Sequence, residues 1–418
     1  MTFDFIRLGN GMRIIGEPIG AFKSVSVGLW VQSGSLYETE SENGISHFIE
    51  HMLFKGTNKR TARDIAAEMD SVGGLLNAFT EKECTCFYTK VVDEKLPLAM
   101  DMIAELVLNS RLDTDDIKRE KGVVLEEIDM AEDTPDDLVF DLSSRAHYGD
   151  QQAALPVLGT KETLTAFTRE DICAYIKRMY RPECTVLAVA GSYVWSEVVE
   201  MAEQFYGGWQ TQGQAPEAVI QPPVYRVVSK KKDIEQTHIC LTWDGPNCED
   251  PEFYAASLIN TVFGGSMSSR LFQSIREERG LAYSVYSGLS SIGTSGSLYV
   301  YAATSPESVN ECVQLINDET AKFADGISRE EFTRARDQLI AQLVLSQEST
   351  SAHMQALGRR LLLTGKTRYF EELLAGIKAV EFEEANALIK QIFSGRRSAA
   401  LVGPQTDIPS EVLLRGQA

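Results

Sequence analysis

Two histidines and a glutamate stand within five positions of one another near the start of this 418-residue chain, in the segment Gly44-Ile-Ser-His-Phe-Ile-Glu-His-Met-Leu-Phe-Lys-Gly-Thr57. The apolar residues Ile45, Phe48, Ile49, Met52 and Leu53 recur at helical spacing, which predicts an amphipathic helix. His47 and His51 then lie one turn apart on the same side, the spacing at which two imidazoles grip zinc. Glu50 and Phe54 share that stripe. Glu50 need not bind metal, because a carboxylate there can take a proton from a water that the metal activates. The order His-x-x-Glu-His inverts the commoner His-Glu-x-x-His arrangement. The plain alternative is a pair of surface histidines beside an acid; the helical register and a further ligand downstream argue against it.

A catalytic zinc takes three protein ligands and keeps a position open for water. Asp115–Ala131 predicts a second helix whose inward stripe is Ile117, Glu120, Val124, Glu127 and Ala131. Carboxylates inside an apolar stripe are costly unless a cation or strong hydrogen bonds compensate them. Glu120 and Glu127 are two turns apart and face the same way, whereas Glu126 is turned about 100° off the stripe. Glu127 is therefore the expected third ligand, with Glu120 a carboxylate nearby. One Zn2+ per chain is the expected cofactor, although cobalt or manganese would suit the same donors. His147, His238 and His353 belong to no ligand pattern and are expected at the surface or in local hydrogen bonds.

These residues need elements to hold them. Ser24–Gln32 alternates and ends in a Ser-Gly-Ser turn, the pattern of a strand. Asn77–Val91 predicts a strand or hairpin, and Lys95–Ser110 a helix. Gly207–Tyr225, rich in Gly, Gln and Pro, has no sustained period and is expected to link two domains. The halves on either side resemble each other. Helix 175–180 precedes strand 186–191 as helix 388–393 precedes strand 400–403, and Asp115–Asp129 aligns with Glu330–Val344. The fold class expected is α+β: two homologous α/β sandwich domains related by duplication, each a largely antiparallel sheet packed by helices. Residues 1–206 would form the zinc-binding domain and 226–418 a copy closing over the site. In that copy Asn260, Phe263 and Gly264 stand opposite His47, Glu50 and His51, and Ala335 and Gln342 opposite Glu120 and Glu127, so the copy would hold no zinc.

His47-x-x-Glu50-His51 followed by Glu127 resembles the pitrilysin family of inverted-zincin metallopeptidases, over essentially the whole chain and most closely in its short bacterial and mitochondrial processing branch. The resemblance implies that His47, His51 and Glu127 bind zinc, that Glu50 is the general base and that Glu120 is an auxiliary catalytic acid. It also implies that Asn77, Ala78 and Phe79, with Thr80, Thr85 and Tyr88 around them, form an edge strand that pairs with the substrate backbone. Gly264–Phe272 is expected to open a helix that ends around Arg276–Tyr283, and Arg276 and Tyr283 match the family's Arg and Tyr that reach substrate from the second domain. The glycine-rich loop of the processing-peptidase partner subunit has no counterpart, since Gly264–Ser269 is short. Broad hydrolysis of short or unfolded peptides is therefore expected rather than strict presequence processing. Two modules fall short of the four in the family's closed chamber, so a homodimer is expected. The rival expectation is a non-catalytic peptide-binding or core subunit of the same fold.

Composition sets the outer limits. With 44% hydrophobic and 24% charged residues the chain is globular. Its 60 acidic residues against 40 basic ones give a net charge of −20, which repels nucleic acid and anionic lipid and favours basic peptides. No run of about 18 apolar residues and no basic-then-apolar start is present, so neither a membrane span nor a signal peptide is expected. Seven cysteines without a Cys-x-x-Cys pair, Cys84 and Cys86 among them, fit reduced core thiols and a cytoplasmic location.

Overall fold

The computed structural model of the chain describes residues 3–210, 217–367 and 370–414. Residues 211–216 of the expected linker lie outside the described residues. The first half carries strands β1 (Asp4–Arg7), β2 (Arg13–Pro18), β3 (Ser24–Val31), β4 (Leu75–Thr80), β5 (Thr85–Val92) and β6 (Thr185–Gly191). Its helices are α1 (Ile45–Leu53), α2 (Ala62–Ser71), α3 (Leu96–Asn109), α4 (Thr114–Asp133), α5 (Pro135–Tyr148), α6 (Lys161–Ala166), α7 (Arg169–Met179) and α8 (Trp195–Tyr206). The second half carries β7 (Val227–Lys231), β8 (Thr237–Gly245), β9 (Ala282–Ile292), β10 (Ser295–Thr304) and β11 (Arg397–Gly403). With them come α9 (Phe253–Phe263), α10 (Val309–Ala324), α11 (Arg329–Leu345), α12 (Thr350–Thr364), α13 (Phe370–Ala379) and α14 (Phe382–Phe393).

The strands form a six-stranded sheet, β1-β2-β6-β3-β5-β4, and a five-stranded one, β7-β11-β8-β10-β9. Apart from β1 the two orders correspond strand for strand. In each the pair at one end (β2/β6, β7/β11) is parallel and the remaining neighbours are antiparallel. The expected pair of duplicated α/β domains with largely antiparallel sheets is what the chain forms.

The compact units are not continuous in sequence. One comprises 1–128, 156–218 and 345–369; the other comprises 129–155, 219–344 and 370–418. In the first unit β3 shows why. Val25, Val27, Leu29 and Val31 point to the core that α1 and α3 also fill, while Trp30 on the other face joins Met354, Leu357 and Leu361 of α12. The helix lies close to the strand because both lack side chains at the contact. A Cβ on Gly28 would come within 2.2 Å of the Met354 sulfur, and one on Gly358 within 2.0 Å of the Trp30 indole nitrogen. Ser26 Oγ hydrogen-bonds Thr350 Oγ1 at 2.9 Å, and His353 Nδ1 meets Glu17 Oε2 at 2.7 Å. In the second unit α9, α10 and α14 cover one face of the sheet, and α5 packs on β7, β8 and β11 across the other. Each sheet thus has one face covered by a helix that the other half of the sequence encodes.

Three sequence expectations need correction. The helix expected to run towards Tyr283 is a π-helical segment, Phe272–Glu277; Gly280, with φ +62°, turns the chain so that Tyr283 lies on β9. His147, His238 and His353 are buried rather than at the surface, bonded to Ser398, Tyr301 and Glu17 respectively. On α4 the buried residues are Ile117, Glu120, Val124 and Ile128, so the stripe turns slightly and leaves Glu127 on its flank. All seven cysteines are free, and Cys84 and Cys86 are buried as expected. Among the described residues no helix is long and apolar enough to cross a membrane.

Candidate metal centre

The centre begins with how α1 is started. Its apolar stripe, Ile45, Phe48, Ile49, Met52 and Leu53, is buried throughout. Gly44 caps the helix at φ +91°, where a Cβ would strike the Leu158 carbonyl oxygen. The buried Glu38 carboxylate accepts from the Gly44 and Ser46 amides at 2.7 and 2.9 Å and from the Asn43 side chain at 3.1 Å. A carboxylate at the positive end of the helix satisfies amides that have no partner within it. Burial nevertheless pushes the Glu38 carboxyl up from its ordinary range.

From this anchored helix His47 and His51 project together, ring centroids 4.7 Å apart. Glu127 on α4 meets both: its Oε2 is 3.3 Å from His51 Nε2 and 3.8 Å from His47 Nε2. Ligand atoms of these three residues all fall within 4.8 Å of one another. The opposite ring nitrogen of His51 bonds Glu120 Oε1 at 2.9 Å, and Lys55 Nζ meets the other Glu120 oxygen at 2.6 Å. Glu120 is almost fully buried; burial alone would raise its carboxyl, but the bonds to His51 and Lys55 outweigh that and hold it below the usual range. Glu126 is exposed on the solvent side of α4.

The donors fit a divalent cation. A His51 whose Nδ1–H donates to Glu120 presents the lone pair of Nε2 to Glu127, the arrangement in which a carboxylate orients a metal-bound imidazole. Burial, and secondarily the charge of His51, lowers the His47 pKa to about 4, so this ring is neutral at pH 7 and also offers a lone pair. Electron pairs that converge in this way repel one another unless a proton or a cation lies between them. His51 is pulled the other way: burial works against its charge, yet Glu120, Glu127 and Glu50 raise its pKa. A metal ion held by His47, His51 and Glu127 would take the place of the proton those carboxylates draw in. His47 Nδ1 is buried and has no hydrogen-bond partner among the described residues. Two imidazoles and one carboxylate suit zinc.

Glu50 stands beside the trio without joining it. Thr80 Oγ1 on β4 donates to Glu50 Oε2 at 2.6 Å. Burial raises the Glu50 pKa, the Thr80 bond partly offsets this, and the nearby Glu127 charge adds to the rise. Sequence reasoning did not assign Thr80, Lys55 or Glu38 these tasks. Lys55, one turn past His51, could have been found by its spacing; Thr80 and Glu38 reach α1 only through tertiary structure.

Asn77, Ala78 and Phe79 lie on β4, the outermost strand of its sheet. Glu81 N–H bonds the Cys84 carbonyl at 2.8 Å, and the register continues through Thr80/Thr85, Phe79/Cys86 and Ala78/Phe87. Hydrogen-bonded pairs alternate in an antiparallel ladder, so the amides and carbonyls of Leu76, Ala78 and Thr80 face the free edge. Among the described residues Ala78 N–H, turned away from β5, meets only the Asn77 side chain at 2.8 Å. Arg276 and Tyr283 belong to the second unit and touch each other there. The guanidinium donates to the Tyr283 carbonyl at 2.8 Å and lies 4.3 Å over its ring, and Tyr283 is 77% exposed.

Comparison with known proteins agrees with this geometry. Residues 20–161 match the family described as insulinase (peptidase family M16), and residues 166–339 match the peptidase M16 inactive domain. The chain is 40% identical over 404 residues to the uncharacterized zinc protease YmxG of Bacillus subtilis, covering 96% of this chain and 98% of that one. It is 42% identical over 403 residues to an uncharacterized zinc protease of Mycobacterium leprae, covering 95% and 91% of the two chains. A crystal structure described as a peptidase M16 inactive domain from Pseudomonas fluorescens shares the fold at a TM-score of 0.89 and 20% identity, over 97% of this chain and 99% of that one. A protease from Helicobacter pylori does so at 0.88 and 18%, over 96% and 99%. Likeness at this level along nearly the whole length makes the chain a member of peptidase family M16, the pitrilysin-type zinc proteases that its motif resembles.

Proposed function

We propose that this protein is a zinc-dependent endopeptidase acting on short or unfolded peptides. One observation carries the proposal: two imidazole nitrogens and a carboxylate oxygen converge beside a partly buried, hydrogen-bonded glutamate that is not needed as a ligand. His47, His51 and Glu127 would hold one zinc ion per chain. Zinc in that position supplies a Lewis acid and makes water acidic enough to react near neutral pH. Glu50 takes the proton from the attacking water and passes it to the leaving amine, and its raised pKa makes it a better base for the first transfer. Thr80 fixes which carboxylate oxygen faces the reaction. Glu120 keeps His51 in the tautomer that presents Nε2, and Lys55 balances the charge on Glu120.

The free edge of β4 offers an extended peptide the amides and carbonyls of Leu76, Ala78 and Thr80, which gives affinity with little demand on sequence. Arg276 and Tyr283 are proposed to act on the substrate from the second unit, as donors able to stabilise an oxyanion. The net charge of −20 favours basic peptides in the encounter, and a homodimer in the cytoplasm is the proposed working form.

The rival is a non-catalytic peptide-binding or core subunit. Its support is the inactive-domain match, which falls mainly on the half without metal donors. The deciding experiment is hydrolysis of a fluorogenic peptide by the zinc-loaded protein and by its Glu50→Gln variant, with metal content measured for both. A loss of at least about 100-fold with zinc retained is expected for removal of a general base. Equal rates, or cleavage by neither across a peptide library, would move the protein to the rival class.

A further inference from the structure

The two imidazoles of the proposed zinc site are not braced alike. His51 Nδ1 bonds the Glu120 carboxylate at 2.9 Å, whereas His47 Nδ1 is buried and has no hydrogen-bond partner among the described residues. An imidazole that holds a metal ordinarily gives its second nitrogen to an outer group that fixes the ring. His47 must instead be placed through its backbone, which belongs to the first turn of α1. That turn is tied from several sides. Glu38, fully buried, accepts from the Gly44 amide and the Asn43 side chain on one oxygen, at 2.7 and 3.1 Å, and from the Ser46 amide on the other, at 2.9 Å. The Asn43 amide also donates to the Pro156 carbonyl at 2.8 Å, and the Asn43 carbonyl accepts from Thr163 Oγ1 at 2.7 Å. Ser46, the residue before His47, hydrogen-bonds Tyr175 of α7 through its hydroxyl at 2.8 Å. Glu38 is the group on which the ties of residues 43, 44 and 46 meet.

The duplicated scaffold shows that the helix can start without such a group. The spacing that sets Asn260 opposite His47 sets Pro251 opposite Glu38, and Pro251 is exposed. The N-cap of α9, Glu252, makes no side-chain capping bond. A fully buried carboxylate is costly, and a Ser, Thr or Asn at the N-cap would satisfy a free amide at less expense. The costly solution thus accompanies the copy that carries the metal donors. We propose that Glu38 is a positioning residue for the metal centre: by holding the first turn of α1 it sets where His47 presents its lone pair. The proposal rests on the zinc reading above and adds to it a residue that touches neither metal nor substrate. An amide of the same shape does not replace it. In Glu38→Gln an NH2 group would face either the Ser46 amide or the Gly44 and Asn43 donors, which leaves a buried donor unpaired and pushes the turn away. His47 should feel this more than His51, which Glu120 holds independently.

The test is zinc affinity, measured on the full chain by competition with a chelator. Glu38→Gln should bind zinc at least about tenfold more weakly than the parent, the low end of what losing an outer partner of a metal ligand costs. Val198→Ala, a truncation of a buried side chain on α8, is the control. It should lower the melting temperature of the metal-free protein yet leave zinc affinity within about twofold, because a site that is already folded does not bind in proportion to global stability. Double variants identify the route. Added to His47→Ala, Glu38→Gln should cost less than about a further twofold, since the ring it positions is gone; added to Glu120→Ala, which acts through His51, it should cost its full factor again. The visible spectrum of the cobalt-loaded protein, which reports ligand geometry, should change in Glu38→Gln and not in Val198→Ala. If Glu38→Gln does not fold, Asn43→Ala removes one donor to the same carboxylate and should cost about threefold with the same pattern in the double variants. Zinc affinity and cobalt spectrum equal to the parent's, or a loss that adds in full to that of His47→Ala, overturns the positioning role. None of these readouts needs hydrolysis. A parent that binds zinc but cleaves no peptide removes the peptidase reading and leaves this inference to stand or fall on the cycle; a parent that binds no zinc removes both.

Discussion

Helices α1 and α9 follow corresponding strands, β3 and β8, yet their residues do unlike things. Where α1 has His47, Glu50 and His51, α9 has Asn260, Phe263 and Gly264. Phe263 is fully buried, stacked on Phe323 at 4.5 Å and edge-on to Phe393 at 4.9 Å. Asn260 Oδ1 accepts from Ser287 Oγ at 2.7 Å, and a Cβ on Gly264 would sit 2.5 Å from the Ser287 amide nitrogen. On the partner helices, Glu120 answers to Ala335, a core residue, and Glu127 to Gln342, which is exposed. One copy spends these positions on packing. The other fills them with partly buried polar groups whose mutual repulsion only a proton or cation relieves. A duplicated scaffold therefore needs just one copy to carry the electrostatic cost of a reactive centre, while its twin keeps an ordinary core.

The contrast can be tested by mutation, and the largest effect belongs to the first copy. Glu50→Gln should cost about 10²–10⁴-fold in hydrolysis with zinc retained, as measured by kcat and metal analysis. Glu120→Ala should weaken zinc binding by about 10–100-fold in a chelator competition, because His51 loses the carboxylate that orients it. Attempts to give the second copy a histidine should fail sterically. Gly264→His is expected to lower stability by about 1–3 kcal/mol in denaturant melts and to bind no additional metal, since the new side chain meets the Ser287 backbone.

Acidity should distinguish the units more gently. His353 in the first unit has its pKa raised by the bond to Glu17 against the effect of burial, so its contribution is complete below about 6.5 and fades as pH rises through the raised value. His238 in the second unit has its pKa lowered by burial, so it costs stability as pH falls below about 6.5. In melting temperature against pH, the deficit of His353→Gln should shrink on going alkaline, and His238→Gln should gain on the parent on going acid. The smallest effect is expected for Gln342→Ala, within about 0.5 kcal/mol and without change in metal content; a loss of zinc there would break the assignment of Glu127 to the first copy alone.

What could be foreseen from the sequence follows from distance along the chain. The His47–Glu50–His51 cluster needed only helical geometry, because it lies within one helix, whereas Glu127, on the flank of the buried α4 stripe, meets the two imidazoles only in the folded chain. The duplication was legible because strand and helix patterns recur in the same order. The Thr80–Glu50 bond was not, since nothing in Asn77–Thr80 says which face of β4 meets α1. Phe79 shows the same limit: an edge-strand pattern predicts that it alternates, not that Trp30 and α12 wait on its side. The burial of His147, His238 and His353 was not legible because a single His on an amphipathic helix or strand carries no sign of its partner. Nothing in the sequences of α5 and α12 names the sheet that each covers.

That reciprocal covering has a consequence for how the polypeptide matures. Trp30, Cys86, Val186 and Ala188 need α12 to shield them, and α12 ends at Thr364. A ribosome adding about 5–20 residues per second reaches Thr364 on the order of ten seconds or more after β6 emerges. Through that interval the sheet of the first unit has one apolar face open to water and to other nascent chains. The half translated first is thus completed by a segment made near the end. A stop codon or proteolytic cut that removes Thr350–Thr364 would strip the N-terminal sheet of its cover, though every proposed zinc ligand lies more than two hundred residues upstream.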